Sequence, residues 1–308
     1  MTEDVNNNVG LCLDIDGTLY RGGSVFVEAL PWLAGAAWTQ STDRTHLRAA
    51  VAAVMRHYGG PLQEVATRGL LSAVDGLRVL GCNQTAEAAL KMLSELSGPN
   101  ANGNGNGDTE LYESREREHL RELLLSEYGA AVADRPVTIV RRSLATVFHH
   151  RRDGAVPSLP DRLVTTLSEI ATDDVGVALV TDAPAHVAQA FTEGTAELND
   201  AVSVVGNQYD RVDGVFTGDF TRVDKGEVIT ELADRRGWDW VIAGGDTTRD
   251  LAMAQRADRF IAVEGHGDIR RWAETEGIAE TTRDTRATFV PHGQQLSPVL
   301  RQIVNEGQ

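Results

Sequence analysis

Lysine is the scarcest charged residue in this chain of 308 residues. Only Lys91 and Lys225 are lysines among 29 basic residues, and 45 acidic residues bring the formal net charge to −16. A surface of this charge repels nucleic acid and anionic membranes, so we expect neither as a partner. The acidic, lysine-poor composition is similar to that of halophile proteins from a high-salt cytoplasm, where ions screen the self-repulsion.

Cysteine and long apolar runs are also rare. Cys12 and Cys82 are too few and too isolated for a disulfide framework or a cysteine metal site, which favours a reducing compartment. Residues 1–8 are acidic and polar, and no run approaches the roughly 18 apolar residues of a membrane span. We therefore expect a cytoplasmic protein without a signal peptide or a membrane span. Nothing in the sequence indicates an oligomeric state.

Two carboxylates follow a short apolar strand near the N-terminus. Leu11, Cys12 and Leu13 predict a buried strand, and Asp14 and Asp16 come directly after it. Side chains two positions apart on a strand point to the same side, so both acids would leave the strand end together. Their repulsion indicates a bound cation or a shared proton, whereas the Asp-Gly pair alone also fits a simple turn.

Short apolar strands alternate with helices in the C-terminal half of the chain. This alternation predicts an α/β fold, a Rossmann-like doubly wound parallel sheet with helices on both faces. We expect the sheet domain to comprise residues 1–25 and 160–308. The predicted strands are 175–180, 202–205, 240–243 and 260–263, a hairpin is predicted at 213–220, and the predicted helices are 159–170, 185–192, 226–236 and 249–257.

Residues 26–159 predict a mostly helical insertion into the sheet domain. Within it, 98–108 is a Gly/Asn-rich linker that we expect to be disordered, because it cannot bury a core. The β-branched residues of 137–147 favour a strand or an irregular crossover. A basic cluster overlaps the end of this stretch, and for it we favour a salt-bridged surface or crossover over a contact with an anionic substrate or partner. Its members are Arg141, Arg142, His149, His150, Arg151 and Arg152.

Four polar sites fall at the carboxyl ends of predicted strands or at helix starts, where a parallel sheet places its active centre. They are Asp14 with Asp16, Thr181 after Val180, Lys225 before Gly226, and Gly244-Gly245-Asp246-Thr247-Thr248-Arg249-Asp250 after Ala243. In this order the sites resemble the four motifs of the haloacid dehalogenase superfamily of phosphohydrolases. Residues 206–218, followed by Lys225, are similar to the corresponding region of its phosphoserine phosphatase branch.

The resemblance implies a phosphatase that forms an aspartyl-phosphate. Asp14 would attack phosphorus, and Asp16 would protonate the leaving oxygen and later activate water. Thr181 and backbone N–H groups near Ile15 and Asp182 would hold the phosphoryl group. The presence of Asp16 argues against dehalogenation, because a halide needs no proton to leave.

The resemblance also implies a Mg²⁺ cofactor. Its ligands would be Asp14, the backbone carbonyl of Asp16, and Asp246. Lys225 would offset the charge of Asp14 and of the phosphate together. Asp250, four residues after Asp246, would orient a water or Lys225 from outside the metal's own ligands.

The insertion resembles the helical caps of this superfamily, which close over the site and admit small phosphorylated metabolites. Thr181-Asp182-Ala183 stands where phosphoserine phosphatases have Ser-Gly-Gly, which argues against phosphoserine itself. A phosphomutase or phosphotransferase on the same core is an alternative, as is a non-catalytic module that binds a phosphorylated metabolite.

Simpler roles for the individual residues also stay open. A lysine that opens a helix, as Lys225 would, is usually solvated. Thr181 could serve only as a helix N-cap, and Asp246 could begin a helix. The capping role of Asp246 is compatible with metal binding.

Overall fold

The computed structural model describes residues 8–20, 24–26, 122, 125–126, 128–130, 132–151, 159–195, 198, 201–263, 269, 287–291 and 295–307. The chain divides into two compact units. The first contains Met1–Val25, Pro157–Gln208 and Arg222–Gln308, and the second contains Phe26–Val156 and Tyr209–Thr221.

The described elements alternate between strands and helices. In chain order they are β1 (Val9–Leu13), α1 (Val137–Arg151), α2 (Asp161–Ile170), β2 (Val175–Pro184), α3 (Ala185–Glu193), β3 (Val202–Val212), β4 (Val215–Thr221), α4 (Lys225–Arg236), β5 (Trp240–Gly245), a 3₁₀ turn (Thr248–Asp250), α5 (Leu251–Ala254), β6 (Arg259–Val263), β7 (Ala287–Val290) and α6 (Leu296–Gly307).

The strands form one seven-stranded sheet in the order β4-β3-β2-β1-β5-β6-β7. The pairs β3-β2, β2-β1, β1-β5, β5-β6 and β6-β7 are parallel. The sheet is therefore an α/β sheet and mostly parallel, as the alternation of the sequence predicts.

Strand β1 lies at the centre of the sheet, and all five of its residues are buried. A strand covered on both faces needs a continuous apolar run, which is why Val9–Leu13 carries no polar side chain. Gly10 fits this position because a Cβ there would lie 2.1 Å from the Trp238 ring. The first polar side chain of the run, that of Asp14, therefore stands at the carboxyl end of the central strand.

Several predicted elements are longer or shorter in the structure. Strands β2 and β3 run beyond the predicted ends, to Pro184 and Val212. The predicted helix 249–257 is reduced to the 3₁₀ turn and the four residues of α5. The predicted hairpin is present, and its two-residue turn has positive φ at Asp213 (53°) and Gly214 (77°), as a type I′ turn requires.

The prediction of a strand or crossover at 137–147 is wrong, because these residues belong to helix α1. Among the α1 side chains that the structure describes, Val137, Val140, Leu144 and Phe148 are buried, and their spacing follows the helical period. The β-branched composition concealed that period. Arg141 and Arg142 of the basic cluster lie on α1, whereas the side chains of His149, His150 and Arg151 and all of Arg152 lie outside the described residues.

Two elements of the sheet domain were not predicted, namely strand β7 and helix α6. The signal for α6 was present, since Leu296, Leu300, Ile303 and Val304 are buried at helical spacing. Most of the predicted insertion, including the linker 98–108, lies outside the described residues, so its cap structure stays a prediction. None of the described helices is long and apolar enough to cross a membrane.

Candidate active site

Asp14 occupies the carboxyl end of β1, between two parallel neighbours. Leu13 is in register with Leu179 of β2 and Gly244 of β5, and the Asp14 N–H donates to the Gly244 carbonyl across 2.8 Å. This bond extends the β1-β5 ladder by one residue and fixes the backbone from which the carboxylate projects. The side chain is buried, with 4% of the residue exposed.

Lys225 places its ammonium among three carboxylates. Its Nζ lies 2.7 Å from Asp14 Oδ1, 2.6 Å from Asp250 Oδ1 and 3.4 Å from Asp182 Oδ2. The lysine is the first residue of α4, whose N-cap Asp224 accepts the Gly226 and Glu227 N–H groups. The start of the helix is therefore fixed, and the lysine stem leaves it at a defined point.

The charge state of Lys225 follows from these contacts. Burial would lower its pKa, but Asp14, Asp250 and Asp182 together raise the pKa above its ordinary value. The ammonium therefore stays charged. Burial also raises the pKa of Asp14 well above its usual range, a rise that Lys225 opposes and that Asp250 and Asp16 increase.

Both carboxylate oxygens of Asp250 are used by donors within the site. Oδ1 accepts from Lys225, and Oδ2 accepts from the Asp246 N–H (3.2 Å), the Thr247 N–H (3.0 Å) and the Thr247 hydroxyl (2.9 Å). The bonds between Thr247 and Asp250 form a capping box on the 3₁₀ turn. Asp250 therefore orients the lysine and closes the turn that begins at Asp246.

Asp246 presents an open oxygen. Its Oδ1 is buried and has no hydrogen-bond partner within the described part of the chain. Burial raises the pKa of Asp246 to about 7, Asp250 and Asp16 adding to the rise. A buried carboxylate oxygen without a donor is costly, so this atom indicates a ligand that the carboxylate can hold.

Gly17 packs directly against the Asp246 carboxylate. A Cβ at Gly17 would lie 2.0 Å from Asp246 Oδ2, and the φ of Gly17 is +82°, which favours glycine. The turn after β1 can therefore approach Asp246 only because residue 17 has no side chain. This close approach places the Gly17 backbone, in the turn after β1, against the Asp246 side chain, which follows β5.

The residues fit a divalent cation that prefers oxygen ligands. Carboxylate oxygens of Asp14, Asp246 and Asp250 lie within 4.8 Å of one another. Both oxygens of Asp250 accept hydrogen bonds, and Asp14 Oδ1 accepts from Lys225, whereas Asp246 Oδ1 is buried without a partner in the described part of the chain. Asp14 and Asp246 are therefore better placed than Asp250 to supply ligand oxygens. An all-oxygen set of this kind suits Mg²⁺, which retains several waters alongside one or two carboxylates.

Asp16 lies in the turn after Asp14 and is only partly buried. Its Oδ2 accepts from the Ser24 hydroxyl at 2.6 Å, and its Oδ1 accepts from the Val25 N–H at 2.7 Å. These bonds fix the direction of the carboxylate. The turn itself is closed by the Leu19 and Tyr20 N–H groups, which donate to the Ile15 carbonyl.

Thr181 is fully buried near the end of β2, and its hydroxyl accepts the Ala183 N–H at 3.1 Å. The alternative in which Thr181 only caps a helix is wrong, because Pro184 occupies the N-cap position of α3. The neighbouring Asp182 has a second function that the sequence did not reveal. Its Oδ2 lies 3.4 Å from both Lys225 Nζ and Arg249 Nε.

The structure brings together Asp14, Asp182, Lys225, Asp246 and Asp250, all of which the sequence singled out. Three residues near them were not singled out: Gly17, Asn207 and Arg249 as a partner of Asp182. The Asp-Gly turn gave a signal for Gly17. Nothing in the local sequence indicates the contacts of Asn207, which depend on residues far along the chain.

Matches to solved structures extend over most of the chain. One is a phospho-aspartyl intermediate analogue of phosphoserine phosphatase, with 15% identity, a TM-score of 0.44, and coverage of 95% of this chain and 97% of that chain. A second is an unliganded probable phosphoserine phosphatase from Vibrio cholerae, with 16% identity, a TM-score of 0.42, and coverage of 99% and 68%.

A third match is cytosolic 5′-nucleotidase IIIB bound to cytidine, with 14% identity, a TM-score of 0.46, and coverage of 98% of this chain and 86% of that chain. No protein-family model and no curated protein matches the chain. Because these TM-scores lie below 0.5, we infer function from the residues of the site alone. The solved structures that the chain matches include phosphoserine phosphatases, the branch that its motifs resemble.

Proposed function

We propose that the protein is a Mg²⁺-dependent phosphohydrolase that cleaves a small organic phosphomonoester through an aspartyl-phosphate on Asp14. One observation carries this proposal: a buried carboxylate at the end of the central strand is paired with a charged lysine 2.7 Å away. The ammonium opposes the protonation that burial favours at Asp14 and stabilises the ionised carboxylate once the proton has left. An ionised, poorly hydrated carboxylate in a fixed position is a competent nucleophile.

In the first step, an oxygen of Asp14 attacks phosphorus, and the bond from phosphorus to the ester oxygen breaks. The leaving alkoxide takes a proton from Asp16, and the phosphoryl group is now bonded to Asp14. The Lys225 ammonium neutralises charge on the phosphoryl oxygens as that charge redistributes.

In the second step, water attacks the same phosphorus and loses a proton to Asp16. The acyl-phosphate bond breaks, which releases inorganic phosphate and restores the Asp14 carboxylate. Ser24 suits this proton cycle because its hydroxyl can donate to an ionised Asp16 and accept from a protonated one. The Val25 N–H maintains the orientation of the carboxyl group in both states.

Asp14 and Asp246 would hold the Mg²⁺, with the backbone carbonyl of Asp16 as a third ligand. When bound, the cation supplies positive charge that offsets the repulsion between the carboxylates and a phosphate dianion. Asp250 supports both groups by binding Lys225 through one oxygen and the Asp246 backbone through the other. Thr181 and the backbone near Ile15 and Asp182 would bind the phosphoryl oxygens.

Two alternatives use the same site. A phosphomutase or phosphotransferase would pass the phosphoryl group from Asp14 to a hydroxyl of a substrate instead of to water. A non-catalytic module would bind a phosphorylated metabolite without transfer. Asp16, held in orientation by Ser24 and Val25 on the turn beside Asp14, would serve as acid and base in hydrolysis and in transfer to a hydroxyl alike, so product analysis separates the two.

A substrate screen tests the proposal. The wild type would be assayed with Mg²⁺ at high salt against a panel of phosphomonoesters that includes p-nitrophenyl phosphate and sugar phosphates. We expect release of inorganic phosphate by the wild type and its loss in Asp14→Asn and Asp16→Ala. Ser203→Ala serves as the control, because Ser203 lies at the amino end of β3, away from the site.

The outcomes separate the three functions. Isomerised ester without free phosphate would support a mutase and reject the hydrolase. Folded wild-type protein that binds phosphate but turns over no ester would support the binding module. Activity retained in Asp14→Asn would remove the nucleophile assignment.

A further inference from the structure

Asn207 carries a buried amide that joins the end of β2 to the segment before α4. The residue is 2% exposed, and both ends of its side chain are hydrogen-bonded to main-chain groups. Its Nδ2 donates to the Asp182 carbonyl at 2.6 Å, and its Oδ1 accepts the Val223 N–H at 2.9 Å. These partners lie 25 residues before it and 16 residues after it, so one side chain ties three segments together.

Both segments carry or adjoin side chains of the proposed active site. Asp182 contacts Lys225 and Arg249 through its carboxylate, and Asn207 holds its carbonyl. Val223 lies two residues before Lys225, and the intervening Asp224 caps α4. The Asn207 amide therefore fixes the backbone at Val223, just before Lys225. It also fixes the backbone at Asp182, whose carboxylate pairs with Lys225.

Regular pairing between β2 and β3 is interrupted beside Asn207. Asn207 is in register with Pro184, but the register shifts between Val180 and Pro184, so residues 181–183 lie outside the paired positions. The Asn207 side chain therefore binds a carbonyl, that of Asp182, in the stretch that the register skips. The covalent chain does not hold Val223 beside Asn207, because the residues between Gln208 and Arg222 belong to the second unit. The bond between Asn207 and Val223 closes that excursion within the first unit.

Gly206 permits the arrangement. A Cβ at Gly206 would lie 2.5 Å from the Ala183 carbonyl oxygen, a backbone atom that cannot move aside as the end of a flexible side chain can. Glycine therefore allows β3 to approach the end of β2 closely enough for the neighbouring amide to reach Asp182. The pair Gly206-Asn207 acts as one structural element.

We propose that Asn207 is a positioning residue that sets Lys225 and Asp182 relative to Asp14. It acts through main-chain groups and not by contact with the substrate. Its effect on turnover rests on the proposed phosphohydrolase function, whereas its effect on the geometry of Lys225 does not.

The scarcity of lysine makes a direct measurement possible. In protein labelled with ¹³C at lysine Cε, Lys91 and Lys225 give two side-chain resonances, and Lys225→Arg assigns them. We expect Asn207→Ala to shift or broaden the Lys225 resonance and to leave that of Lys91 in place. The control is Ser203→Ala, which removes a side-chain bond from the same strand to the Val177 carbonyl of β2, at the other end of the strand pair.

The second readout is kinetic, with p-nitrophenyl phosphate as the probe. We expect Asn207→Ala to lower kcat about 10- to 100-fold with KM changed less than about threefold, the pattern of a lost supporting contact. We expect Ser203→Ala to change neither parameter by more than about twofold, since its hydrogen bond lies away from the site. If Asn207→Ala does not fold, the isosteric variant Asn207→Asp is measured in its place in both experiments. This variant also removes the side-chain donor to the Asp182 carbonyl.

An unchanged Lys225 resonance in a folded Asn207 variant would overturn the proposal, as would equal kinetic effects of the Asn207 and Ser203 variants. The resonance measurement requires no turnover. If the wild type hydrolyses no phosphomonoester, the resonance measurement therefore still tests the positioning of Lys225 by Asn207. Failure of the one proposal is thus distinguished from failure of the other.

Discussion

Lys225 and Asp250 form a buried ion pair whose atoms lie 2.6 Å apart, and the same carboxylate accepts the Asp246 N–H through its other oxygen. The Asp250 side chain thereby connects the Lys225 ammonium to the backbone of Asp246, a proposed metal ligand. The two functions of the site, charge neutralisation by lysine and cation binding by carboxylates, are mechanically linked through Asp250.

The contacts of Lys225 with Asp14 and Asp250 predict a large loss of stability when the lysine ammonium is removed. In Lys225→Met, the buried carboxylates of Asp14 and Asp250 lose their shared counterion, and we expect the free energy of unfolding at pH 7 to fall by about 3–5 kcal/mol. Urea unfolding of metal-free protein measures this change. The loss should shrink as the pH falls, because protonation removes the unpaired charges.

Arg249→Met provides the matched control for that experiment. The Arg249 side chain is 31% exposed in its pair with Asp182, and exposed pairs contribute about 0–1 kcal/mol. Equal destabilisation by the two substitutions would contradict the buried charge network.

Asp246 predicts that Mg²⁺ binding depends on pH. Its pKa of about 7 in the metal-free protein means that a cation must displace a proton below neutral pH. We expect the affinity to fall about tenfold per pH unit below pH 7. Calorimetry in buffers of different ionisation enthalpy would report the released proton, and Asp246→Asn should abolish both the binding and its pH dependence. A flat affinity between pH 5 and pH 7 would refute this prediction.

The same raised pKa has a consequence for the stability of the metal-free protein. The folded state holds the Asp246 proton up to about pH 7, whereas the unfolded chain loses it near the ordinary carboxyl value of 3.8. Folding therefore takes up a proton in this window, and stability falls as the pH rises from about 4 to 7. Asp14 acts in the same direction. Thermal melts with and without Mg²⁺ should diverge as the pH rises through this range, and parallel melting curves would count against the site.

Gly17 predicts a specific steric effect on the cation site. In Gly17→Ala, the new methyl group would overlap the Asp246 carboxylate, so we expect a loss of Mg²⁺ affinity and of activity beyond the cost of backbone strain. Gly237→Ala is the matched control, because Gly237 also has positive φ (66°) but has no atom within 4 Å of an added Cβ. Both variants should lose about 1 kcal/mol through strain. Only Gly17→Ala should weaken cation binding, and an equal effect of the two would reject the proposed contact.

The net charge of −16 predicts stabilisation by salt. Screening lengths fall from about 10 Å at 0.1 M to about 3 Å at 1 M, which reduces repulsion between surface carboxylates. We expect Tm to rise between 0.1 M and 1 M KCl, and a Tm that does not change would contradict the high-salt interpretation. A neutral osmolyte at matched osmolality separates screening from general exclusion effects.

The sequence was informative wherever a local pattern determines structure. Apolar runs such as Val175–Val180 predicted strands, and the acids after Leu13 and Ala243 identified the carboxyl edge of the sheet. Parallel strands bring such residues together whatever their separation in the chain. This is why Asp14, Lys225 and Asp246 could be named together from the sequence alone.

Other features depend on partners that the sequence does not reveal. The β-branched residues of α1 carried opposite signals for strand propensity and helical burial, and tertiary packing decided between them. The carbonyl that Asn207 binds and the acid that pairs with Arg249 could not be inferred from their neighbours in sequence. These contacts become visible only in the folded chain, where the ends of β2 and β3 lie beside the start of α4 and the turn after β5.

Identification of a phosphorylated residue tests the central claim most directly. The wild type would be mixed with p-nitrophenyl phosphate and Mg²⁺, quenched in acid during turnover, and mapped by mass spectrometry of its peptides. We predict one phosphoryl group on Asp14, removable by hydroxylamine, and none in Asp14→Asn. Sustained turnover with Asp14 unmodified, or undiminished turnover by Asp14→Asn, would contradict the account.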